Sequence, residues 1–201
     1  MKLYGFKNSR SNRVEWMLQE LGLPYELVKV DLLAGEQKRA DHVARHQHAL
    51  VPALEDGDVR MIESTAMCLY LADKHAEKGL APATSSPARA RYYQFAVYAA
   101  STLDETVIPI FFHTALFPPE KRDASVVEAK MQIWETASQL LTRELGESPF
   151  LLGKTFSAAD VIVGYDIALA ARIGLLAKAP ALAAYAERLT SREAFKKAYA
   201  T

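Results

Sequence analysis

The chain has 201 residues, and 24 Lys plus Arg balance 24 Asp plus Glu, so there is no basic field to draw nucleic acid or an anionic membrane. Half of the residues are apolar, enough for one large domain or two small ones around a sizeable core. The single cysteine, Cys68, excludes an internal disulfide, no stretch reads as an uninterrupted membrane span, and Met1 leads straight into the strand-like Lys2-Leu3-Tyr4 without a signal sequence. The expectation is a soluble, cytoplasmic protein with neither nucleic acid nor membrane as partner.

Lys2 to Phe6 reads as a short strand. Arg13 to Leu21 carries apolar residues at helical spacing, with Val14, Met17, Leu18 and Leu21 on one face, and Gly22 stops it. Tyr25 to Leu32 returns as a β-rich run, so the strand, helix, strand order implies a parallel crossover. Gly35 to Arg45 is charged and reads as a short solvent-facing helix or loop. Pro52 to Leu54 and Val59 to Ile62 flank an Asp56-Gly57 turn signal and predict a β-hairpin, followed by a helix from Ser64 to His75. Proline cannot donate to a ladder, so Pro52 is expected to open an edge strand, with Val51 extended and its backbone groups open to a partner. The order βαβαββα predicts a small α/β sheet with helices on both faces.

Lys78 to Pro87 concentrates Gly, Pro, Ser and Thr and reads as a linker, with Pro87 in the first turn of a new helix. No strand signal follows. The expected division is residues 1–77 as an α/β domain, 78–86 as linker and 87–201 as an all-α domain. Tyr92, Ala96, Ala99, Leu103, Val107 and Ile110 mark one helical stripe, and Val127, Met131, Trp134, Leu141 and Leu145 mark another. Pro109 is expected to kink or end the first. In Phe156-Ser157-Ala158-Ala159-Asp160-Val161, Ser157 caps a helix, Asp160 reaches back to it, and Phe156 packs on Val161. This motif serves helix nucleation rather than catalysis. The helix runs to about Ile173, with Gly174 and Pro180 framing those that follow.

The chemistry concentrates in the first half. Glu63-Ser64 opens a helix whose first N–H groups lack intrahelical partners and attract an anion such as a carboxylate. Ser64 adds a hydroxyl donor and Glu63 an acceptor for an ammonium, which together suit an amino-acid head group. The plainer reading makes Ser64 a helix cap and Glu63 a dipole partner. An extended peptide pairing with the Val51 backbone as an added strand would complete such a site.

Val51-Pro52-Ala-Leu, the hairpin, and Ile62-Glu63-Ser64 followed by Ala-x-x-x-Tyr-Leu resemble the glutathione-binding half of the cytosolic glutathione S-transferases, and the similarity covers nearly the whole chain. The resemblance implies a thioredoxin-like first domain and an all-helical second one, assembled as a homodimer, with glutathione as cosubstrate and no bound cofactor. It implies a cis Val51-Pro52 bond whose Val51 backbone pairs with the cysteinyl part of glutathione, while Glu63 and Ser64 hold its γ-glutamyl end. The chemistry needs a thiolate, which the protein must stabilise. One hydroxyl donor aimed at sulfur contributes about 1.5 to 3 kcal/mol, or roughly one to two pKa units.

Serine-type members of the family place that hydroxyl four residues before an arginine of the first helix, a register that selects Ser9 ahead of Arg13, with Ser11 as the alternative and an N-cap role open to both. Tyr4 falls one residue off the register of tyrosine-type members, and Cys68 reads as a core residue. Where the family shows Asn-Pro-x-Gly-Lys, this chain has His46-Gln47-His48-Ala49-Leu50, so Lys38, His46, Gln47 or His48 would have to meet the glycine carboxylate. His42 and His46 stand one helical turn apart, but no third metal ligand follows at a recognised spacing, so no metal is expected. Arg13 reads as a structural ion-pair partner. Asp104 resembles the acid that relatives extend to the glutathione amine of the neighbouring subunit, or is a solvated helix position. Phe6, Lys7, Tyr98, Phe111, Phe112 and His113 are candidates to line a pocket for a small hydrophobic electrophile, or are core. The leading reading is a glutathione transferase conjugating the thiolate to electrophiles. The alternatives are a glutathione-dependent peroxidase or disulfide reductase, and a non-catalytic ligand- or partner-binding protein on the same fold.

Overall fold

The computed structural model describes residues 1–200. It resolves into two compact units, one formed by Met1–Ala81 together with the segment from Arg192 on, the other by Pro82–Ser191.

The first unit contains β1 (Lys2–Gly5), α1 (Ser11–Leu21), β2 (Glu26–Lys29), a turn of tighter helix at Glu36–Lys38, α2 (Ala40–Val43), β3 (Ala53–Asp56), β4 (Val59–Met61) and α3 (Ser64–Lys74). Its sheet has the order β2-β1-β3-β4, with β1 parallel to β2 and antiparallel to β3, and β3 antiparallel to β4. This is the expected crossover and hairpin. Asp56 pairs with Val59, leaving Gly57 and Asp58 as a two-residue turn, and Gly57 takes φ of 61°, which glycine adopts without steric cost.

The expectation that Pro52 opens an edge strand is corrected. β3 is an interior strand, but it starts at Ala53, opposite Tyr4, so Pro52 stands just outside the ladder and its missing N–H leaves no bond unmade.

Alternation along β1 turns Leu3 and Gly5 to one side of the sheet and Tyr4 to the other. On the Leu3 side lies α1, and α3 packs on α1. A Cβ on Gly5 would meet the Ser11 Cβ at 2.8 Å, so glycine is what lets the first turn of α1 approach β1 this closely. On the other side Tyr4 clusters with Val30, Val51 and Ala53, backed by Phe6, Val28 and Leu32. The Tyr4 hydroxyl donates to Glu55 at 2.9 Å under the Arg45 guanidinium, which sits 4.5 Å from its ring centre.

The predicted face of α1 is buried, but so are Ser11, Asn12, Arg13, Glu15 and Trp16. The reason is α9 (Glu193–Ala200), which belongs to the first unit and packs on α1. Phe195 meets Trp16 edge to face at 5.0 Å, and Arg192 grips Glu20 with two bonds of 2.6 and 2.7 Å.

The second unit begins with a continuous helical stretch, α4 (Ala88–Tyr98) and α5 (Asp104–Phe111), with wide turns at Ala99–Leu103 and Phe112–Leu116. Every residue of its predicted stripe, Tyr92, Ala96, Ala99, Leu103, Val107 and Ile110, is at most 2 % exposed. The helix does not end at Pro109; the wide turn before it and another after it accommodate the missing donor. Contrary to the reading that no stretch approaches a membrane span, Ala88–Leu116 is long and apolar enough by length and composition, though half of its most apolar window is buried within the protein.

In α6 (Ala124–Leu145) Trp134, Leu141 and Leu145 are buried as predicted, with Ala137 between them, whereas Met131 is 39 % exposed and Val127 half-buried. The buried stripe of α6 starts at Trp134, whose indole N–H donates to the Leu175 carbonyl at 3.3 Å.

α7 (Ala158–Arg172) and α8 (Pro180–Thr190) complete the unit. The capping box at Ser157 and Asp160 forms in both directions. It also extends further than a cap. Asp160, fully buried, accepts from the N–H groups of Leu151 and Ser157 at 2.9 Å each, from the Ser157 hydroxyl at 3.1 Å and from the Tyr185 hydroxyl at 2.8 Å. Burial pushes the Asp160 carboxyl upward, while those four donors hold it down.

Asp160→Ala strands these donors without water to replace them. It is expected to cost about 3 kcal/mol or more, read as a drop in the urea midpoint at unchanged slope, and Asp160→Asn is expected to cost less.

Candidate active site

Pairing of Tyr4 with Ala53 and of Leu54 with Met61 sets the end of β1, the start of β3 and the end of β4 at one end of the sheet. The segments that leave this end carry Ser9, Val51, and Glu63 with Ser64. Among the described residues three non-glycine positions have positive φ: Asn8 at 61°, Ala49 at 53° and Glu63 at 72°. Each stands within two residues of one of those positions. Such conformations cost about 1 to 3 kcal/mol and collect where a site is built.

Ser9 lies half-exposed at the mouth of α1, while Ser11 is buried at 2 % exposure. The Ser9 hydroxyl donates to the Phe6 carbonyl at 2.6 Å and its oxygen accepts from the Ser11 N–H at 3.2 Å, a capping bond. A hydroxyl carries one proton. In the 2.9 Å contact between the two serines, Ser11 is therefore the donor while its oxygen accepts from the Phe6 N–H at 3.2 Å. Ser11 is committed inside the turn. Ser9 sits at its open side, and its proton can exchange the Phe6 carbonyl for an arriving anion.

The Val51-Pro52 bond is cis. Val51 precedes the first ladder pair of β3, and its N–H and C=O take no hydrogen bond among the described residues. Its side chain is buried in the Tyr4 cluster.

Glu63 is exposed and Ser64, the first residue of α3, is buried. The fully buried Arg13 donates to the Ser64 oxygen at 2.9 Å, which leaves the serine proton available. An arginine behind a serine at a helix N-terminus makes a site for a carboxylate. Arg13 thus does more than the structural ion-pairing read from sequence.

Of the residues proposed for the glycine carboxylate, Lys38, Gln47 and His48 are exposed, while His46 is buried. His46 stacks on His42 with ring centres 6.4 Å apart and meets His48 edge-on at 6.1 Å. His42 is committed to the Leu50 carbonyl at 2.7 Å. Burial, then the neighbouring His42 and His48, push the His46 pKa down, against the pull of Glu63. No group of three His, Cys, Asp or Glu among the described residues is arranged to hold a metal.

Phe6 is packed in the Tyr4 cluster, and the exposed Lys7 donates to the Ala200 carbonyl at 3.2 Å. Cys68 is buried, with its thiol pushed up to about 12 by burial, and is part of the core. In the second unit Asp104 is only 4 % exposed, not a solvated position. Tyr98 is half-buried, with its phenol pushed up by burial. Phe111 is buried under the Arg172 guanidinium at 5.3 Å, and Phe112 packs on Phe117 at 5.3 Å near His113. Sequence reasoning missed Asn12, whose signal, a polar residue in the first turn of an otherwise apolar helix, reads as an exposed position until α9 is known to cover it.

Two sequence families match the chain: glutathione S-transferase, N-terminal domain, over residues 1–73, and glutathione S-transferase, C-terminal domain, over residues 124–188. Glutathione S-transferase 3 of Zea mays is 32 % identical over 209 residues, spanning 100 % of this chain and 93 % of the relative. Glutathione S-transferase GstB of Escherichia coli (strain K12) is 31 % identical, spanning 97 % of this chain and 95 % of the relative. Among solved structures, a ternary complex of BphK, a bacterial GST, superposes with a TM-score of 0.87 at 30 % identity over 100 % of this chain and 98 % of that one. Glutathione transferase F7 from Populus trichocarpa gives a TM-score of 0.88 at 27 % identity over 98 % and 96 %.

Two outcomes follow from the local geometry. Glu63→Gly removes the cost of a positive φ and is expected to raise stability by about 1 kcal/mol in urea unfolding, while losing the carboxylate from the mouth of α3. His46 is held neutral in the fold, so its contribution is complete above the unfolded value of about 6.5 and is lost as the pH falls from there through the lower folded value. The urea midpoint should therefore fall between pH 7.5 and 5.5 by less in His46→Gln than in the parent.

Proposed function

The chain belongs to the glutathione S-transferase family and transfers the thiolate of glutathione to electrophilic small molecules, and we propose that it does so through Ser9, with the tripeptide held by Val51, Glu63 and Ser64. The observation that carries this reading is the Arg13–Ser64 pair at the start of α3, at the same end of the sheet as Ser9 and the unpaired Val51 backbone. The γ-glutamyl carboxylate would sit on the α3 N-terminus and the Ser64 hydroxyl, and its ammonium would face Glu63. Val51 would pair with the cysteinyl N–H and C=O as an added strand.

With both ends held, the cysteinyl sulfur faces the mouth of α1. The thiol proton leaves to solvent, and Ser9 turns its hydroxyl from the Phe6 carbonyl to the sulfur, helped by the positive end of α1. The thiolate then forms a C–S bond with the electrophile as the leaving group departs with its electron pair. His48, Gln47 and Lys38, all exposed, are the proposed partners of the glycine carboxylate. Tyr98, Phe111 and Phe112 are the proposed contribution of the helical unit to binding the electrophile. The reading includes a cytoplasmic location and a homodimer, and sedimentation of the purified protein tests the second.

Ser9→Ala is expected to lower kcat/KM for a chlorinated aromatic by about 10- to 100-fold, the equivalent of 1.5 to 3 kcal/mol, and to raise the pKa of the bound thiol. Glu63→Gln is expected to raise KM for glutathione with a smaller effect on kcat. Unchanged turnover in Ser9→Ala would move the donor to Ser11 or a backbone amide. Turnover of a peroxide or mixed disulfide with none of the aromatic would replace conjugation with reduction at this site.

A further inference from the structure

The turn that carries Ser9 is fastened at both sides to the end of the last helix. Asn12, 1 % exposed, uses both ends of its amide: the oxygen accepts from the Asn8 N–H at 2.7 Å, and the nitrogen donates to the Ala198 carbonyl at 2.7 Å. Only this orientation matches a donor to an acceptor at each end. On the other side of Ser9, Lys7 donates to the Ala200 carbonyl. Ala198 and Ala200 belong to the last turn of α9, whose carbonyls have no partner within the helix. The residues flanking Ser9 therefore act as the C-terminal cap of α9, and α9 in turn restrains Asn8, held at φ of 61° next to Ser9. The helix itself is seated by the Arg192–Glu20 pair, by Phe195 against Trp16, and by Tyr199 stacked on Phe195 at 4.1 Å.

We propose that Asn12 is a positioning residue that couples the docking of α9 on α1 to the placement of the Ser9 hydroxyl. The inference rests on the assignment of Ser9 as the donor to the thiolate. A misplacement of about 1 Å is enough to weaken such a donor severely. Asn12 itself does not touch the thiolate; it acts through the Asn8 N–H and the α9 carbonyl.

The test compares the full-length protein with Asn12→Asp, Arg192→Ala, Ser9→Ala and the Ser9→Ala/Asn12→Asp double variant, reading the pKa of the bound thiol from the ultraviolet absorbance of the thiolate in the glutathione complex. Asn12→Asp keeps the acceptor for Asn8 but turns an oxygen toward the Ala198 carbonyl, so α9 is released at its end. It is expected to raise the thiol pKa in the same direction as Ser9→Ala and to lower kcat about 10-fold, with KM for glutathione within about twofold. In the Ser9→Ala background it should add nothing to the pKa. Arg192→Ala, which loosens α9 at its other end without touching the turn, is expected to give a smaller shift of the same sign.

A parental thiol pKa in Asn12→Asp beside a raised one in Ser9→Ala overturns the coupling while leaving Ser9 as the donor. An unchanged pKa in Ser9→Ala removes both. Should Asn12→Asp fail to fold by its melting curve, a parental pKa in folded Arg192→Ala overturns the coupling by the same measurement.

Discussion

The first turn of α1 is buried although it is polar. Ser11, Asn12 and Arg13 are 2 %, 1 % and 0 % exposed, and buried polar groups without partners cost free energy that a small domain does not have to spare. Each is therefore bonded to a different part of the first unit: Ser11 to Phe6 and Ser9, Asn12 to Asn8 and Ala198, Arg13 to Ser64. Satisfying one helix end fixes the turn before it, the helix beside it and the last helix of the chain, and those are the pieces that carry the proposed glutathione site.

The same arrangement explains why strained backbone is tolerated there. Asn8 is held in a left-handed conformation by the bond its N–H donates to the Asn12 side chain, and Glu63 precedes a serine locked by Arg13. Positive φ at a residue with a side chain persists only where the surroundings over-determine it. At Glu63 the result is a carboxylate in the open beside the first N–H groups of α3, the pairing of charges that the proposed head-group site requires. In the second unit Asp160 solves a comparable problem: the cap of α7 is buried, and one carboxylate collects the donors of the loop before it and of Tyr185. That network organises a fold and nothing more; it stands at the start of a helix, as Ser64 does, but every lone pair is taken.

Much of the architecture is legible in residue order because it depends on local physics. The stripe Tyr92 to Ile110 and the face Val14 to Leu21 follow from helical periodicity, Gly22 and Gly57 from conformations that glycine adopts at no steric cost, and Ser157 with Asp160 from reciprocal capping. The misreadings all concern neighbours. Pro52 was expected at an edge because periodicity does not reveal that its strand begins one residue later, between two partners. Met131 fits the stripe of α6 but lies beyond the part that is covered. Asp104 looks solvated and is buried, since an acid in a long helix carries no mark of what packs against it.

The residue types and spacings alone therefore determined the βαβαββα order and the helical second half, because turns, caps and amphipathic faces are encoded within a few residues; the candidates Ser9, Val51, Glu63 and Ser64 came from a resemblance carried by short motifs. Only the tertiary structure decided which serine stands open and which is enclosed, that Arg13 backs Ser64, and that the last helix returns to close over Trp16 and Asn12. These depend on contacts between segments separated by 51 positions for Arg13 and Ser64 and by 186 for Asn12 and Ala198. No local preference of the chain specifies such partners, and they form because buried donors and acceptors must find one another.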